Sequence, residues 1–271
     1  MRALRYFPGM EAPNNGVAPS DGAVGAAARE REFWDEHVPE LDYVVGEYRA
    51  GPDPNTAAML DALEPLAGKR VLDFACGAGI TACFLAARGA SVTGIDISPA
   101  SIQRARELAT AVGVDVDFIA GELTADSFAP ESFDAVAGHY ALHHVDLTVI
   151  APIFRELLIP GGRGAFVETM GLNPLLSLSR RFLTGRGAVA SYGSDDERPI
   201  DRADLNVIEM EIGPVELELG EMRFLRIFDR NVLRYRHPAA TRMLGRADDA
   251  LARVGLDRLS YHQVVVFTAP R

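Results

Sequence analysis

The sequence predicts an α/β fold with a doubly wound, mostly parallel sheet. Short apolar runs of strand length alternate with helix-length segments through the middle of the chain, as at 70–75 and 91–97. Strands that alternate with helices need crossover connections, and these connections make neighbouring strands parallel. With 271 residues, 48% of them hydrophobic, the chain can bury the core of one such domain with an insertion.

The predicted elements follow in order along the chain. Residues 1–28 are rich in Gly, Ala, Pro and Asn, have no clear period, and are interpreted as a mobile N-terminal arm. Residues 29–66 show a helical, aromatic pattern that predicts an N-terminal helical cap. The main domain is expected over 67–271, with a substrate lid at about 171–205, a stretch too long and irregular for an ordinary connection. Seven strands are predicted, within residues 70–75, 91–97, 114–121, 132–142, 164–170, 214–228 and 260–270.

Residue type marks where two of the helices begin. Ser98 and Pro99 supply an N-cap and a first-turn proline after the second strand, and Gly113 ends that helix. Asp201 is predicted to be the N-cap of a helix that begins near Arg202.

Composition argues against several classes of partner. The net charge of −11 disfavours a nucleic acid or an anionic membrane surface, since both bind basic faces. Two cysteines, Cys76 and Cys83, are too few for a disulfide framework and favour a reducing, cytoplasmic location. The first ten residues lack the apolar core of a signal peptide, and no uncharged apolar run reaches the roughly 18 residues of a membrane span. We expect a cytoplasmic monomer or homodimer that acts on a small molecule.

A glycine loop follows the first predicted strand. The run VLDFACGAGI at 71–80 contains Gly77-x-Gly79, where the missing side chains let a ligand approach the backbone. The helix that follows offers free N–H groups. Asp96 ends the second strand, 19 residues after Gly77, where an acid can bind both hydroxyls of a ribose. These features indicate an adenosine-containing cofactor without choosing one.

Asp73 is the residue that discriminates between cofactors. It lies at the end of the first strand, four residues before Gly77, with its carboxylate directed toward the loop. A carboxylate there would repel the pyrophosphate of NAD but suits a cationic ammonium group. S-adenosylmethionine (SAM) carries an adenosine, an ammonium and a sulfonium, and no phosphate. The loop therefore predicts SAM; an NAD-dependent oxidoreductase is the alternative, disfavoured also because no Tyr-x-x-x-Lys pair occurs.

Over about residues 56–170 the sequence resembles the class I SAM-dependent methyltransferases, in the small-molecule group similar to methyltransferase type 11. The family hallmark D-x-x-x-G-x-G is matched by Asp73, Gly77 and Gly79, and the acids expected after the second and third strands by Asp96 and Glu122. The resemblance implies SAM as cofactor, bound by Asp73, Ala75, Gly77, Gly79, Asp96, Ile97, Glu122, Leu123 and His139.

The resemblance also accounts for the two ends of the chain. It implies that the last strand of the seven-stranded sheet is inserted antiparallel, after a helix and a long preceding strand, within residues 214–270. It further implies that residues 29–55 and 171–205 build the substrate pocket.

Candidate catalytic residues lie after the fourth and fifth strands. The segment GHYALHHVD at 138–146 contains His139 and His143, and Glu168 ends the fifth strand. The carboxyl edge of an open α/β sheet is where ligands bind, and histidine is a base matched to neutral pH. Each also has a structural interpretation: the histidines as a helix start, and Glu168 as a strand-end hydrogen-bonding group. His139, His143 and Asp146 are residue types that can bind a metal, but no metal site is predicted.

Candidate substrate-binding residues are mostly aromatic or basic side chains of the predicted cap and lid. Aromatic rings there suit a flat or apolar acceptor, although packing is the alternative role for most of them. The arginine pair could bind an anionic acceptor group or form the polar side of a helix. The candidates are Trp34, Tyr43, Tyr48, Tyr140, Arg180, Arg181 and Tyr192.

The leading prediction is a SAM-dependent methyltransferase of secondary metabolism that acts on a small, partly apolar molecule. Oxygen is the preferred acceptor, as a hydroxyl or a carboxyl. Carbon is the alternative, in an indole or in an isoprenoid such as a prenyl diphosphate, the latter with Mg²⁺. A protein that binds SAM without turnover is an alternative of another class.

Overall fold

A computed structural model describes residues 23–174, 198–229, 233 and 236–271. Its centre is one seven-stranded sheet with the strand order β3-β2-β1-β4-β5-β7-β6. The strands are β1 Arg70–Phe74, β2 Ser91–Asp96, β3 Asp117–Ala120, β4 Phe133–His139, β5 Leu158–Thr169, β6 Val215–Glu218 and β7 His262–Thr268.

The pairing of the strands confirms the predicted fold class. Strands β1 to β5 pair in parallel, with β1 between β2 and β4. Strand β7 inserts antiparallel between β5 and β6. The chain therefore reverses its winding direction between β1 and β4, and this is the point at which open α/β sheets bind ligands.

Helices cover both faces of the sheet. They are α1 Ala23–Glu36, α2 Leu41–Ala50, α3 Pro54–Ala62, α4 Ile80–Ala87, α5 Pro99–Val112, α6 Leu147–Leu157, α7 Arg202–Glu211, α8 Leu225–Phe228 and α9 Pro238–Arg253, with short 3₁₀ turns at Leu142–His144 and Asp257–Leu259. Within the described residues, no helix is both long enough and apolar enough to cross a membrane.

Successive strand residues point to opposite faces and build two cores. Val71 packs in the core beneath α2 to α5, whereas its neighbour Leu72 packs in the core beneath α6 and α7. The same alternation separates Val167 from Phe166 on β5. Strands buried on both faces are the reason that the sequence shows continuous apolar runs rather than an apolar–polar alternation.

The predicted helix boundaries are confirmed. The Ser98 hydroxyl accepts from the Ser101 N–H at 3.0 Å, Pro99 opens α5, and Gly113 ends it with φ of 75°. Asp201 caps α7 as part of a capping box with Asp204.

Three boundaries differ from the prediction. Strand β5 begins at Leu158 and not near residue 164, because Leu158 already pairs with Phe133 of β4, ahead of a register shift. Helix α1 begins at Ala23, before residue 28, because the alanines that made the arm featureless are also strong helix formers. The predicted strand at 214–228 pairs only over Val215–Glu218, and the chain then turns at Gly220 against the backbone of Pro54. The predicted lid at 171–205 lies largely outside the described residues.

Candidate active site

The loop between β1 and α4 has the backbone conformation that its glycines predict. Ala75, Gly77 and Gly79 all have positive φ, at 52°, 50° and 79°. A Cβ on Gly79 would lie 2.8 Å from the Cβ of Ala105, so this position also needs a glycine for packing. A Cβ on Gly77 would meet nothing within 4 Å. The loop therefore leaves an open face at Gly77, beside the first turn of α4.

Asp96 ties this loop to the start of α5. Its Oδ2 accepts from the Gly77 N–H at 2.8 Å, and its Oδ1 accepts from the Ser98 N–H at 2.9 Å. Burial raises the pKa of Asp96, and these two backbone hydrogen bonds oppose that shift. Each carboxylate oxygen can accept a further bond, so Asp96 retains capacity for two hydroxyl donors.

Asp73 is buried without a hydrogen-bond partner. Its residue surface is 1% exposed, and neither carboxylate oxygen is paired. Burial raises its pKa to about 8; the nearby Ala82 amide lowers the pKa and Asp96 raises it. An unpaired carboxylate in such surroundings is costly, and sites of this kind are candidates for ligand binding. A cationic group at this position would supply the missing partner.

Glu168 is equally buried but has partners for both of its oxygens. Its Oε1 accepts from the backbone N–H groups of Ala141 and Leu142, at 2.8 and 2.7 Å. Its Oε2 lies 2.7 Å from Nδ1 of His143. Glu168 thus fixes the 3₁₀ turn after β4 and orients the His143 imidazole through Nδ1.

The contact with Glu168 sets the tautomer of His143. A carboxylate only accepts hydrogen bonds, so Nδ1 of His143 carries the proton and Nε2 is left as the basic nitrogen. The side chain of His143 is 10% exposed. A histidine oriented by a buried carboxylate is the arrangement used for general bases.

His139 and Tyr140 lie at the end of β4, at the reversal point of the sheet. Burial lowers the pKa of His139 and favours the neutral imidazole. Tyr140 adopts a φ of 56°, and its hydroxyl lies 3.2 Å from Nδ1 of His262. Such backbone strain in a residue with a large side chain is typical of functional sites.

Helix α1 lies across the same edge. Asp35 accepts from the Ser98 hydroxyl at 2.6 Å and from the Ala100 N–H at 3.2 Å. Glu30 accepts from the Trp34 indole at 2.6 Å and lies 2.9 Å from Nδ1 of His144. The helix is therefore joined to the start of α5 and to the turn after β4, and it covers the loops that follow β2 and β4.

The other predicted site residues lie in different surroundings. Tyr48 stacks on Phe84, with ring centroids 4.8 Å apart. Tyr43 packs against the same core. Glu122 is exposed after β3 and Leu123 is buried beside it. Ile97 is partly buried after β2. Arg180, Arg181 and Tyr192 lie outside the described residues.

Two polar residues near His139 were missed by the sequence analysis. Asp53 precedes Pro54 in the turn before α3, where an Asp-Pro pair is a recognisable N-cap signal. Arg223 follows β6, and nothing in the local sequence marks it. Within the described part of the chain, no group of three or more His, Cys, Asp and Glu side chains is arranged to hold a metal ion.

Residues 71–162 match a family model described as a methyltransferase domain. Residues 71–162 thus carry a methyltransferase domain, in agreement with the predicted resemblance to the class I SAM-dependent methyltransferases. It is similar to the ubiquinone biosynthesis O-methyltransferase of Pseudomonas aeruginosa (strain LESB58), with 38% identity over 125 residues. That alignment covers 45% of this chain and 53% of the relative, so the chain spans about half the length of the curated relatives it matches.

Solved structures share the fold over nearly the whole chain. The geranyl diphosphate C-methyltransferase from Streptomyces coelicolor A3(2) superimposes with a TM-score of 0.57 at 16% identity, covering 93% of this chain and 100% of that one. The cyclase SpnF gives a TM-score of 0.57 at 17% identity, covering 94% and 98%. At these identities the likeness establishes the architecture and not the reaction.

Proposed function

We propose that the protein transfers the methyl group of SAM to a hydroxyl oxygen of a small, partly apolar molecule. The observation that carries this proposal is Asp73, a buried carboxylate with no partner beside a glycine loop. The ammonium group of SAM would supply its counter-charge, whereas the pyrophosphate of NAD would add a repulsive charge. The methyltransferase domain over 71–162 supports the same cofactor.

The residues around the loop fit the rest of this cofactor. Asp73 would hold the ammonium and Asp96 the ribose hydroxyls, while the open face at Gly77 admits the ligand to the backbone. Glu122 and Leu123 would flank the adenine, and His139 the methionyl end. When bound, the cofactor supplies an electrophilic methyl group on its sulfonium.

His143 is the proposed general base. Its Nε2 is the basic nitrogen, and Glu168 holds the ring through the 2.7 Å contact with Nδ1. The proton of the acceptor hydroxyl would pass to Nε2 as the oxygen–methyl bond forms and the sulfur–methyl bond breaks, with S-adenosylhomocysteine as the leaving group. Glu168 acts here as a positioning residue, because its oxygens are already engaged by the turn and by His143. Helix α1 would help to exclude water from the same edge.

The base favours a hydroxyl over a carboxylate acceptor, since a carboxylate needs no proton removed. The name of the similar relatives, ubiquinone biosynthesis O-methyltransferase, agrees with oxygen as the acceptor atom. A carbon acceptor, in an indole or an isoprenoid, also releases a proton. The experiment must therefore distinguish methylation of carbon from methylation of oxygen. We further propose a role in secondary metabolism, and a cytoplasmic location, which the two free cysteines support.

The test is methyl transfer from SAM carrying a ¹³C-labelled methyl group. The purified protein is incubated with phenols, indoles and carboxylic acids, and the products are assigned by NMR. The proposal predicts a ¹³C-methoxy signal from hydroxyl acceptors only. A ¹³C-methyl signal on carbon would replace the acceptor assignment. Bound SAM with no transfer to any acceptor would favour a cofactor-binding protein without turnover.

A further inference from the structure

Two polar side chains, Asp53 and Arg223, lie near His139, and none of the three is within hydrogen-bond distance of another in this group. Oδ2 of Asp53 lies 3.9 Å from Nε2 of His139, and Oδ1 of Asp53 lies 3.8 Å from a terminal nitrogen of Arg223. Both distances exceed the roughly 2.7–3.2 Å of an N–H···O hydrogen bond. Polar groups at such separations commonly share an intervening oxygen. We call Asp53, His139 and Arg223 the acceptor-side triad.

The triad is held from three parts of the chain. Asp53 caps α3 by accepting from the Asn55 N–H at 3.0 Å and the Thr56 hydroxyl at 2.6 Å. His139 ends β4, where it pairs in register with Val167 of β5. The carboxylate of Asp53 is thus held by the first turn of α3, and the backbone of His139 is held by the sheet.

Arg223 is fixed as firmly as Asp53. Its Nε donates to Glu221 at 3.0 Å, and its backbone N–H donates to the Ser260 hydroxyl at 3.0 Å. Its carbonyl accepts from the Tyr261 N–H at 2.8 Å. The side chain is 15% exposed, whereas those of Asp53 and His139 are 31% and 29% exposed. The triad therefore opens to a ligand on the side of Asp53 and His139.

We propose that the triad recognises a second hydroxyl group on the acceptor. This inference rests on the proposed function. A hydroxyl can donate to Asp53 while it accepts from Arg223, and an oxygen about 2.8 Å from Oδ1 of Asp53 and from the Arg223 nitrogen spans the 3.8 Å gap between them at an angle near 90°. A carboxylate or a diphosphate can accept from Arg223 but would be repelled by Asp53. The geometry thus selects a diol-type acceptor over an anionic one.

The surrounding charges support the same choice. Glu221 pairs with both Arg223 and Arg226, and Asp53 lies against Arg223, so two carboxylates balance the positive charge that would attract an anion. Burial also keeps His139 neutral by lowering its pKa, and a neutral imidazole can donate to or accept from a hydroxyl. Tyr140 separates the triad from the proposed base, with ring centroids 4.3 Å from His139 and 6.5 Å from His143.

The experiment compares pairs of acceptors that differ only in the second hydroxyl. Pairs of phenols with and without a second ring hydroxyl are assayed with wild type and with Asp53→Ser. Serine is as good an N-cap as aspartate, so α3 keeps its start, but its side chain is too short to span the gap. The proposal predicts that wild type prefers the diol by roughly tenfold or more in kcat/KM, and that Asp53→Ser removes this preference by lowering kcat/KM for the diol much more than for its monohydroxyl partner.

A second variant guards against misfolding. Arg223→Lys keeps the charge but loses the planar fork, and the same loss of preference is expected. Equal rates of wild type on both members of each pair, or an equal fall on both in the variants, would overturn the inference and leave an ordered water as the only occupant of the gap. Calorimetric binding of S-adenosylhomocysteine to each variant separates this failure from failure of the proposed function, which would remove cofactor binding in wild type itself.

Discussion

The two halves of the sheet's carboxyl edge each bury a carboxylate, but only one of the two carboxylates has hydrogen-bond partners in the protein. Asp73, on the β1 side, is 1% exposed and has no partner. Glu168, on the β5 side, is 0% exposed and has three. A carboxylate that the protein leaves unpaired is completed by a ligand, whereas a fully bonded one holds other protein groups in place. The comparison assigns cofactor binding to one half and acceptor chemistry to the other.

The largest effect is expected on the acceptor half. His143→Gln should lower kcat by on the order of a thousandfold, because the proposed base is lost, and leave the affinity for S-adenosylhomocysteine unchanged. Stopped-assay kinetics and calorimetry measure the two quantities. His237→Gln, at an exposed histidine before α9, is the matched control and should behave as wild type.

Glu168→Gln tests whether Glu168 acts through His143. The variant should reduce kcat by roughly ten- to a hundredfold, with little change in cofactor affinity, because the amide still accepts from the turn but no longer carries a charge. The double variant with His143→Gln should be no slower than His143→Gln alone. Additive losses would mean that Glu168 contributes independently of the histidine.

On the cofactor half, Asp96→Ala should weaken S-adenosylhomocysteine binding by about a hundredfold. Two ribose hydrogen bonds would be lost, and the Gly77 and Ser98 amides would lose their acceptor. The variant should therefore also unfold at a lower temperature. Unchanged affinity in calorimetry would contradict the assignment of Asp96 to the ribose.

Asp73 should show the opposite effect on stability. Its pKa of about 8 in the folded state lies above the ordinary 3.8, so between these values the folded protein binds more protons than the unfolded chain. The free energy of unfolding of the ligand-free protein therefore falls as pH rises from about 4 to 8. Asp73→Asn removes this penalty and should raise Tm by several degrees at pH 8, and by progressively less toward pH 4. A lower Tm at pH 8 in calorimetric scans would show that the carboxylate has a partner in the folded protein.

The smallest effect concerns helix α1. Asp35→Ala removes the acceptor for Ser98 and Ala100 and should weaken S-adenosylhomocysteine binding by about fivefold, because α1 then covers the site less of the time. Asp42→Ala, at an exposed position on α2, is the control. If Asp35→Ala and Asp42→Ala bind S-adenosylhomocysteine with equal affinity, α1 does not contribute to cofactor binding.

The two halves also differ in how far the sequence predicts them. Asp73, Gly77 and Asp96 lie within one strand–loop–helix–strand unit, so a local motif predicts their arrangement. The contact between His143 and Glu168 spans 25 residues, and the sequence predicted both residues without their pairing. The positions were predictable because strand ends share one edge; the distances depend on register, which local patterns do not encode.

Neither the acceptor-side triad nor the early end of β6 could be predicted from the sequence, and the reason is related. The Glu221 N–H bonds Asn55 across 166 residues, and this contact draws the chain away from the sheet after Glu218. The alternation at 214–228 predicted a longer strand because it reflects local composition only. Arg223 reaches Asp53 through the same long-range contact, so no nearby residue could have signalled it.

The most direct test of the account is calorimetric titration of wild type and Asp73→Asn with S-adenosylhomocysteine, with NAD as the comparison ligand. We predict micromolar binding of S-adenosylhomocysteine to wild type, an affinity lower by on the order of a hundredfold for Asp73→Asn, and no binding of NAD. The exposed variant Asp117→Asn should bind as wild type does. Binding of NAD to wild type, or full S-adenosylhomocysteine affinity in Asp73→Asn, would contradict the role assigned to the unpaired carboxylate.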